Sequence, residues 1–600
     1  MNYIPYKTKF LREKYTSNST LDAYLINLGF TKEVIELLIN SPEENDFHLL
    51  HDLVKMVKEL KTLDKDKDII TIVGDYDCDG ATSTSILYLV LTAAGFTVNY
   101  HIPHRIDDGY GLSTSIVDKI STRFPDTAII MTCDNGIAAV DAVKYAKDKG
   151  YKVFVTDHHT LDMDNLPEAD YIVHPALPGY PFAGISGGSV AYKVAQGIME
   201  EFGIEDKELS EYLLQLAAIS VVSDVMPVAN KDIETMRVNE NRTILKKGIE
   251  LMRTNPNWRL KVMFDMFKIQ HETLDETVIG FYVSPVINAV GRLDDAAEAV
   301  AFLTADTEDK AILKCSIMGY LNEERKELKK ESLNKINETL DTSKPAIIVQ
   351  SDDIHEGIVG IIAGNLCDQN QKPAIVFTKC DTLEEPAWKA SARSVEGVNL
   401  YEILKEINDE NPDVIYTFGG HSGAAGLTVL DSHMEEFTNI FNDKVAALGD
   451  IETDKYYMTV LASDIDKVAK ALEEIKPLGN GLPKPIIKST MFINQYDFFY
   501  SSGHVKLSNC FKNELWLYNA LEEFTASSAN MTDFEKTMDN TEKKMSTYNI
   551  SRREAKKTRW ERWESKKNVK PLFDCIFELD YGNFMGSVGP IYSVIQYNRK

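Results

Sequence analysis

Cysteine is scarce: seven in 600 residues, an odd and scattered set. Such a set argues against a disulfide framework and against a thiolate-bound zinc site. Long hydrophobic runs are missing too, and none approaches the roughly 20 apolar residues needed to cross a bilayer. The opening Met1-Asn2-Tyr3-Ile4-Pro5 lacks the charged-then-apolar layout of a secretory signal. Positive charge is in short supply, with 65 Lys and Arg against 92 Asp and Glu, a formal net charge of −27. Most of such a surface repels phosphate, which argues against a generic nucleic-acid coat. These absences predict a reducing, cytoplasmic protein with no membrane partner. They leave open an enzyme of small anionic substrates, or a nuclease in which a local cationic track guides a strand.

A chain of this length exceeds one compact core, so three or four domains are expected. Apolar residues recur at helical spacing over Leu21 to Asn40 and His48 to Leu60, predicting a helical segment over 1–65. Short apolar runs then alternate with stretches of helix composition. Asp68 to Val73, Thr97 to Ile102, Thr127 to Thr132 and Tyr151 to Thr156 read as buried strands. Thr82 to Ala94 and Ile137 to Lys149 read as the helices between them. This alternation predicts an α/β fold with a doubly wound, mostly parallel sheet over 66–300. A charged connecting helix over 301–340 leads to a second, smaller α/β domain over 341–448. The last region, 449–600, carries strand-like runs, a Pro/Gly-rich turn at Lys476 to Pro483 and a polar insert over 526–570.

Three of the predicted strands end in groups that suit hard metal ions. The first ends in Gly74-Asp75-Tyr76-Asp77-Cys78-Asp79-Gly80, the third in Cys133-Asp134-Asn135-Gly136, the fourth in Asp157-His158-His159. Open α/β sheets place their sites outside the carboxyl ends of the strands, where these loops would meet. Carboxylates gathered there repel one another unless cations compensate. Oxygen ligands with one or two imidazoles suit Mn2+ or Mg2+.

The order Asp-x-Asp-x-Asp-Gly, strand-end Asp, Asp-His-His resembles the DHH phosphoesterases. Ile102-Pro103, Arg105 and Gly109-Tyr110-Gly111-Leu112 extend the similarity to the RecJ-like exonucleases of that superfamily. So do Ser223-Asp224-Val225-Met226-Pro227, Glu240-Asn241-Arg242 and Asn288-Ala289-Val290-Gly291-Arg292-Leu293. Further on, His355-Glu356-Gly357-Ile358-Val359-Gly360, Ser391-Ala392-Arg393-Ser394 and Gly419-Gly420-His421-Ser422-Gly423 fit their counterparts, as does the turn at Pro477-Leu478-Gly479-Asn480. The resemblance runs from about residue 45 to the C-terminus, the polar insert excepted. Ala390, Ser223 and His174 stand where the family usually has Gly, Ala and Asn.

The resemblance implies a DHH catalytic domain, a DHH-associated domain with a Gly-Gly-His motif, and a C-terminal OB-like domain. It also implies hydrolysis of single-stranded DNA from a 5′ end, releasing 5′-mononucleotides with two divalent cations, Mn2+ or Mg2+, in DNA recombination, repair or replication. By the same resemblance Asp75, Asp77, Asp79, Asp134, His158 and Asp224 supply the metal ligands, with Asp134 bridging. His159 would contact the phosphate or leaving group. Arg105, Ser391 and Arg393 would hold the terminal 5′-phosphate, with Gly419, Gly420 and His421 lining the same cleft and Arg292 guarding it. Arg559, Trp560, Arg562 and Trp563 in the insert interleave charge with aromatic rings, a pattern suited to a single strand. A single-strand-binding protein or a helicase is an expected partner. An oligonucleotidase or pAp phosphatase of the same superfamily, and a non-catalytic replication scaffold, are the alternatives.

Overall fold

The computed structural model describes residues 3–5, 14–380, 383, 385–449, 455–499, 504–509, 514–517, 572–584 and 587–599. The insert over 526–570, with Arg559, Trp560, Arg562 and Trp563, lies outside the described residues. The chain forms two compact units, one built chiefly from Glu43–Met226 and Thr243–Thr453, the other from Tyr3–Pro42, Pro227–Arg242 and Asp454–Lys600.

The first unit holds a five-stranded, all-parallel sheet. Its strands are β1 (Ile69–Val73), β2 (Val98–His101), β3 (Thr127–Cys133), β4 (Lys152–Thr156) and β5 (Tyr171–Val173), in spatial order β2-β1-β3-β4-β5. Ile70, Ile72, Ile129, Ile130, Met131, Val153 and Val155 are fully or almost fully buried, which accounts for the continuous apolar runs of strands covered on both faces. Strand order reverses at β1, so the crevice between the ends of β1 and β3 is the topological switch point. The strand β5 has only three residues and carried no clear pattern in the sequence.

Three helices flank the carboxyl ends of these strands: α1 (Cys78–Ala93), α2 (Gly187–Phe202) and α3 (Lys207–Ser223). The first begins inside the acidic loop, earlier than the expected Thr82, because Asp77 caps it by accepting from the Gly80 N–H at 3.0 Å. Farther along, α4 (Ser284–Leu293) precedes the 32-residue α5 (Glu308–Thr339), which matches the predicted connecting helix.

A second five-stranded sheet follows, made of β6 (Ile347–Gln350), β7 (Ala374–Cys380), β8 (Ala387–Arg393), β9 (Thr417–Gly420) and β10 (Ala424–Leu430). Its order is β9-β10-β8-β7-β6, with only β6 and β7 parallel. Phe377, Leu404, Phe437 and Phe441 fill the core on one of its faces.

In the second unit, the N-terminal segment departs from an all-helical reading. Tyr3–Pro5 forms a short strand paired in parallel with β11 (Lys455–Thr459). The apolar stretch Leu21 to Asn40 splits into Ser19–Asn27 and Lys32–Asn40, because Gly29 takes a φ of +97° and ends the first helix. Beyond β11, the strands β12 (Ile486–Phe499), β13 (His504–Asn509), β14 (Glu514–Leu517), β15 (Leu572–Phe584) and β16 (Ser587–Arg599) pair in the order β12-β13-β14-β16-β15. An additional β12–β15 pairing closes the ring, and β14 runs parallel to β16. A closed five-stranded barrel is compatible with the OB-like expectation. Arg242 is fully buried in this unit, donating to the carbonyl oxygens of Leu38 at 2.8 Å, Pro477 at 3.0 Å and Lys476 at 3.0 Å. Among the described residues, no helix is long and apolar enough to cross a membrane.

Candidate metal centre and anion cleft

The acidic loop after β1 is shaped by packing that leaves its carboxylates little choice. A Cβ on Gly80 would fall 2.4 Å from the Asp75 carbonyl oxygen, and one on Gly74 would fall 2.0 Å from Thr84 Oγ1. The Cys78 N–H donates to Asn288 Oδ1 at 2.8 Å, and a Cβ on Gly291 would lie 2.0 Å from the Tyr76 carbonyl oxygen. Asn288 and Gly291 of the Asn-Ala-x-Gly-Arg motif are thus the seat on which this loop rests.

Asp134 follows β3 with a φ of +60°, a left-handed conformation that costs a non-glycine residue about 1–3 kcal/mol. Asn135 holds it there. Its Nδ2 donates to the carbonyl oxygens of Val73 at 3.0 Å and Cys133 at 2.9 Å, while its Oδ1 accepts from the Leu112 N–H at 3.2 Å. Asp224 caps the C-terminus of α3, and the next residue, Val225, has a φ of +52° and is 65% exposed. A β-branched residue in that conformation is a genuine outlier, and it lies directly beside the acid.

These loops bring seven side chains to one place. His158 Nε2 lies 3.1 Å from Asp134 Oδ1, 3.6 Å from Asp79 Oδ2 and 3.6 Å from Asp224 Oδ2. Asp75, Asp77 and Asp134 make a second group, and Asp134, His158 and His159 a third, with ligand atoms of each group within 4.8 Å of one another. Asp79 is held from behind: its oxygens accept from the N–H groups of Gly187 and Gly188 at 2.8 Å each and from Ser220 Oγ at 2.5 Å. Placing a carboxylate at the N-terminus of α2 is favoured by the helix dipole.

The electrostatics of the group are those of an anion excess. Burial, and then repulsion from Asp77, hold the Asp75 carboxyl well above the usual carboxylate range. Burial and repulsion from Asp79, Asp77 and Asp75 do the same to Asp134. Burial raises Asp77 as well, and it raises Asp224 to about 8, with Asp79 and Asp77 adding to both effects or to one. Asp75 Oδ1 and Asp134 Oδ1 are buried without a hydrogen-bond partner. Orphaned, mutually repelling oxygens beside one imidazole are a donor set that fits hard divalent cations.

The two histidines part company. Burial keeps the His158 imidazole below its ordinary value, in the neutral form a metal ligand requires. Burial also opposes charge on His159, but the hydrogen bond and charge of Asp157 outweigh it and lift His159 to about 9. Its Nδ1 lies 2.7 Å from Asp157 Oδ1, and Asp157 Oδ2 accepts from the Ile137 N–H at 2.9 Å. Asp157 is therefore a brace for His159, a role that its strand-end position alone could not distinguish from ligation. His174 adds a second brace, with its Nε2 2.9 Å from the His159 carbonyl oxygen.

A cationic rim belongs to the same unit. The Arg105 guanidinium lies 4.0 Å from the centre of the Tyr76 ring, and its Nε donates to Gly291 O at 3.1 Å. Arg292 Nη1 donates to Gly357 O at 3.2 Å. Burial, then repulsion from Arg105 and Arg325, push Arg292 down to about 10. Arg393 Nη1 donates to Ser391 Oγ at 3.0 Å, and burial lowers this guanidinium also. Gly360 leaves room for the pair, since a Cβ there would lie 3.0 Å from Ser391 Oγ and 3.2 Å from Arg393 Nη2. Ser391 pairs with Gly426, which pairs with Gly419, so the Gly-Gly-His turn lies on one line across the second sheet. Gly419, Gly420 and His421 are exposed there, and Gly420 has a φ of +139°. Arg325, on α5, escaped the sequence reading because a lone arginine in a charged helix carries no local signal.

Residues 69–221 match the DHH family, N-terminal domain, and residues 343–448 match the DHHA1 domain. The single-stranded-DNA-specific exonuclease RecJ of Haemophilus influenzae is 30% identical over 504 residues, 80% of this chain and 84% of the relative. The RecJ of Escherichia coli is 30% identical over 465 residues, 73% of this chain and 77% of the relative. The crystal structure of RecJ from Thermus thermophilus in complex with Mn2+ superposes with a TM-score of 0.70 at 19% identity, covering 96% of this chain and 77% of that one, and shares the fold. Exonuclease RecJ bound to manganese gives a TM-score of 0.55 at 25% identity over 66% of this chain and 95% of that one. The chain belongs to the RecJ family within the DHH proteins.

Proposed function

We propose that this protein is a metal-dependent exonuclease that hydrolyses single-stranded DNA from a 5′ end and releases 5′-mononucleotides. The observation that carries the reading is the coincidence, in one unit, of an acid cluster with orphaned oxygens and a rim of arginines, Arg105, Arg292 and Arg393, that form no ion pair among the described residues. The single-strand specificity is that of the curated relatives. The 5′ to 3′ direction rests on the family resemblance and on the Arg105, Ser391 and Arg393 group.

In this reading Asp75, Asp77, Asp79, Asp134, His158 and Asp224 would hold two divalent cations, Mn2+ or Mg2+. Such cations polarise a phosphoryl group, lower the pKa of bound water and stabilise the leaving oxygen. His159, kept charged by Asp157, donates a hydrogen bond to the phosphate or to the leaving oxygen. Arg105 and Arg393 present forked donors to a terminal phosphate, with Ser391 beside them, and Arg292 adds charge between the two groups. Gly419 and Gly420 offer main-chain N–H groups near His421 on the same sheet. The insert residues Arg559, Trp560, Arg562 and Trp563 supply a further track for the strand by their composition alone.

A digest separates this reading from the oligonucleotidase and scaffold alternatives. Single strands, duplex and dinucleotide, each 5′-labelled, are incubated with Mn2+ or with chelator. Mononucleotide release from the single strand, abolished by chelator and absent with duplex, is the expected result. Cleavage of the dinucleotide alone, or of nothing, overturns it.

A further inference from the structure

Tyr110 enters the centre from the loop that follows β2, and the motif reading gave it no task. Its hydroxyl lies 3.1 Å from the Asp134 carbonyl oxygen, to which it donates, and 3.0 Å from His159 Nε2. It lies 3.3 Å from Nδ1 as well, so it rests against the ring and is not in line with the Nε2–H bond. Nδ1 itself is taken by Asp157 at 2.7 Å. His159 is thereby held at Nδ1 by a buried carboxylate and braced along its ring by a hydroxyl tied to the Asp134 turn, which leaves the Nε2–H to meet a phosphoryl oxygen.

The loop is built for this contact. Gly109 and Gly111 have φ of +78° and +65°, and a Cβ on Gly111 would crowd the Asn135 Cβ at 3.1 Å. Leu112 is pinned to Asn135, so the tyrosine is registered to the same turn that sets Asp134. Core packing does not explain the residue, because 51% of Tyr110 remains exposed. Its ring meets Tyr76 and His159 edge-on, with centroids 6.2 Å and 5.6 Å away.

We infer that Tyr110 is a positioning residue of the hydrolytic site, fixing His159 relative to Asp134 so that the imidazole meets the phosphoryl group of the bound strand. This inference rests on the hydrolase reading above and adds to it the group that aims His159.

Tyr110→Phe keeps the ring and removes only the hydroxyl. With the full chain, Mg2+ and a 5′-phosphorylated single strand, kcat falls about ten-fold while KM stays within about two-fold. In a His159→Ala background the same change alters kcat by less than about two-fold, because the group it aims is gone. Equal fractional losses in both backgrounds, or an unaltered kcat in the single variant, overturn the role. Where His159→Ala is too slow to compare, 15N-histidine spectra decide: the Nε2 resonance of His159 moves in Tyr110→Phe, and an unmoved resonance overturns the role. A wild type that cuts no phosphodiester defeats the hydrolase reading itself. A wild type that cuts, with Tyr110→Phe its equal, defeats only the positioning role.

Discussion

His158 Nε2 lies 3.1 Å from Asp134 Oδ1, although the two residues end different strands of the parallel sheet. Their approach follows from β3 and β4 being neighbours in register, with Cys133 paired to Thr156. The loops that leave both strands then open into the same crevice. Several buried acids share that crevice, so its chemistry depends on how their charge is compensated.

Asp134→Asn removes charge without changing shape. Cleavage falls below detection, and the rise in melting temperature that Mn2+ gives the wild type disappears. In chelator the variant melts at or above the wild-type temperature, because a buried, repelled carboxylate has been neutralised. Turnover at the wild-type rate would refute the site.

Stability in chelator should fall as pH rises from about 4 to about 8. The sign follows from folded-state values lying above unfolded ones: Asp224 is raised to about 8, and Asp75, Asp77 and Asp134 are raised with it. Such groups stabilise the fold below their unfolded pKa, and the contribution is lost as pH climbs through the folded value. His159, raised to about 9, adds in the same direction at the upper end. Mn2+ reverses the trend, since its binding releases these protons and strengthens with pH. Thermal melts across this range, for wild type and Asp224→Asn, check the claim, and the variant should show the shallower slope.

Arg393→Ala should raise KM for 5′-phosphorylated strands about ten-fold, the worth of one or two charge-assisted hydrogen bonds. Strands with a 5′-hydroxyl should change by less than about two-fold, having no terminal phosphate to lose. Equal effects on both substrates would remove Arg393 from the terminal pocket.

Arg242→Met should destabilise the second unit by about 3 kcal/mol or more, because carbonyl groups of Leu38, Lys476 and Pro477 lose a buried, charged donor together. Urea unfolding followed by tryptophan fluorescence measures this. A loss under about 1 kcal/mol would mean that water or the chain re-satisfies those oxygens.

The acidic loop after β1, the Asp134 turn and the Asp-His-His turn were legible as candidate ligands because strands with period-two or continuous apolar patterns announce their own ends, and residues at strand ends share one crevice in any parallel sheet. The long helix α5 was legible for the same reason of local pattern. Tyr110, Asp157 and Arg325 were not. A tyrosine between two glycines, an acid before two histidines and an arginine in a charged helix look alike whether they serve a site or solvent. Nor did local pattern show that Ser19–Asn40 and Pro227–Arg242 belong with the C-terminal barrel, since the Arg242 contacts join residues far apart in the chain. The sequence by itself determined which side chains could bind cations and which stretches would be strands, because both are properties of short segments. Only the tertiary structure decided which acid braces a histidine, which glycine clears a carboxylate and which hydroxyl rests against His159, because those depend on ångström-scale distances between segments brought together by packing.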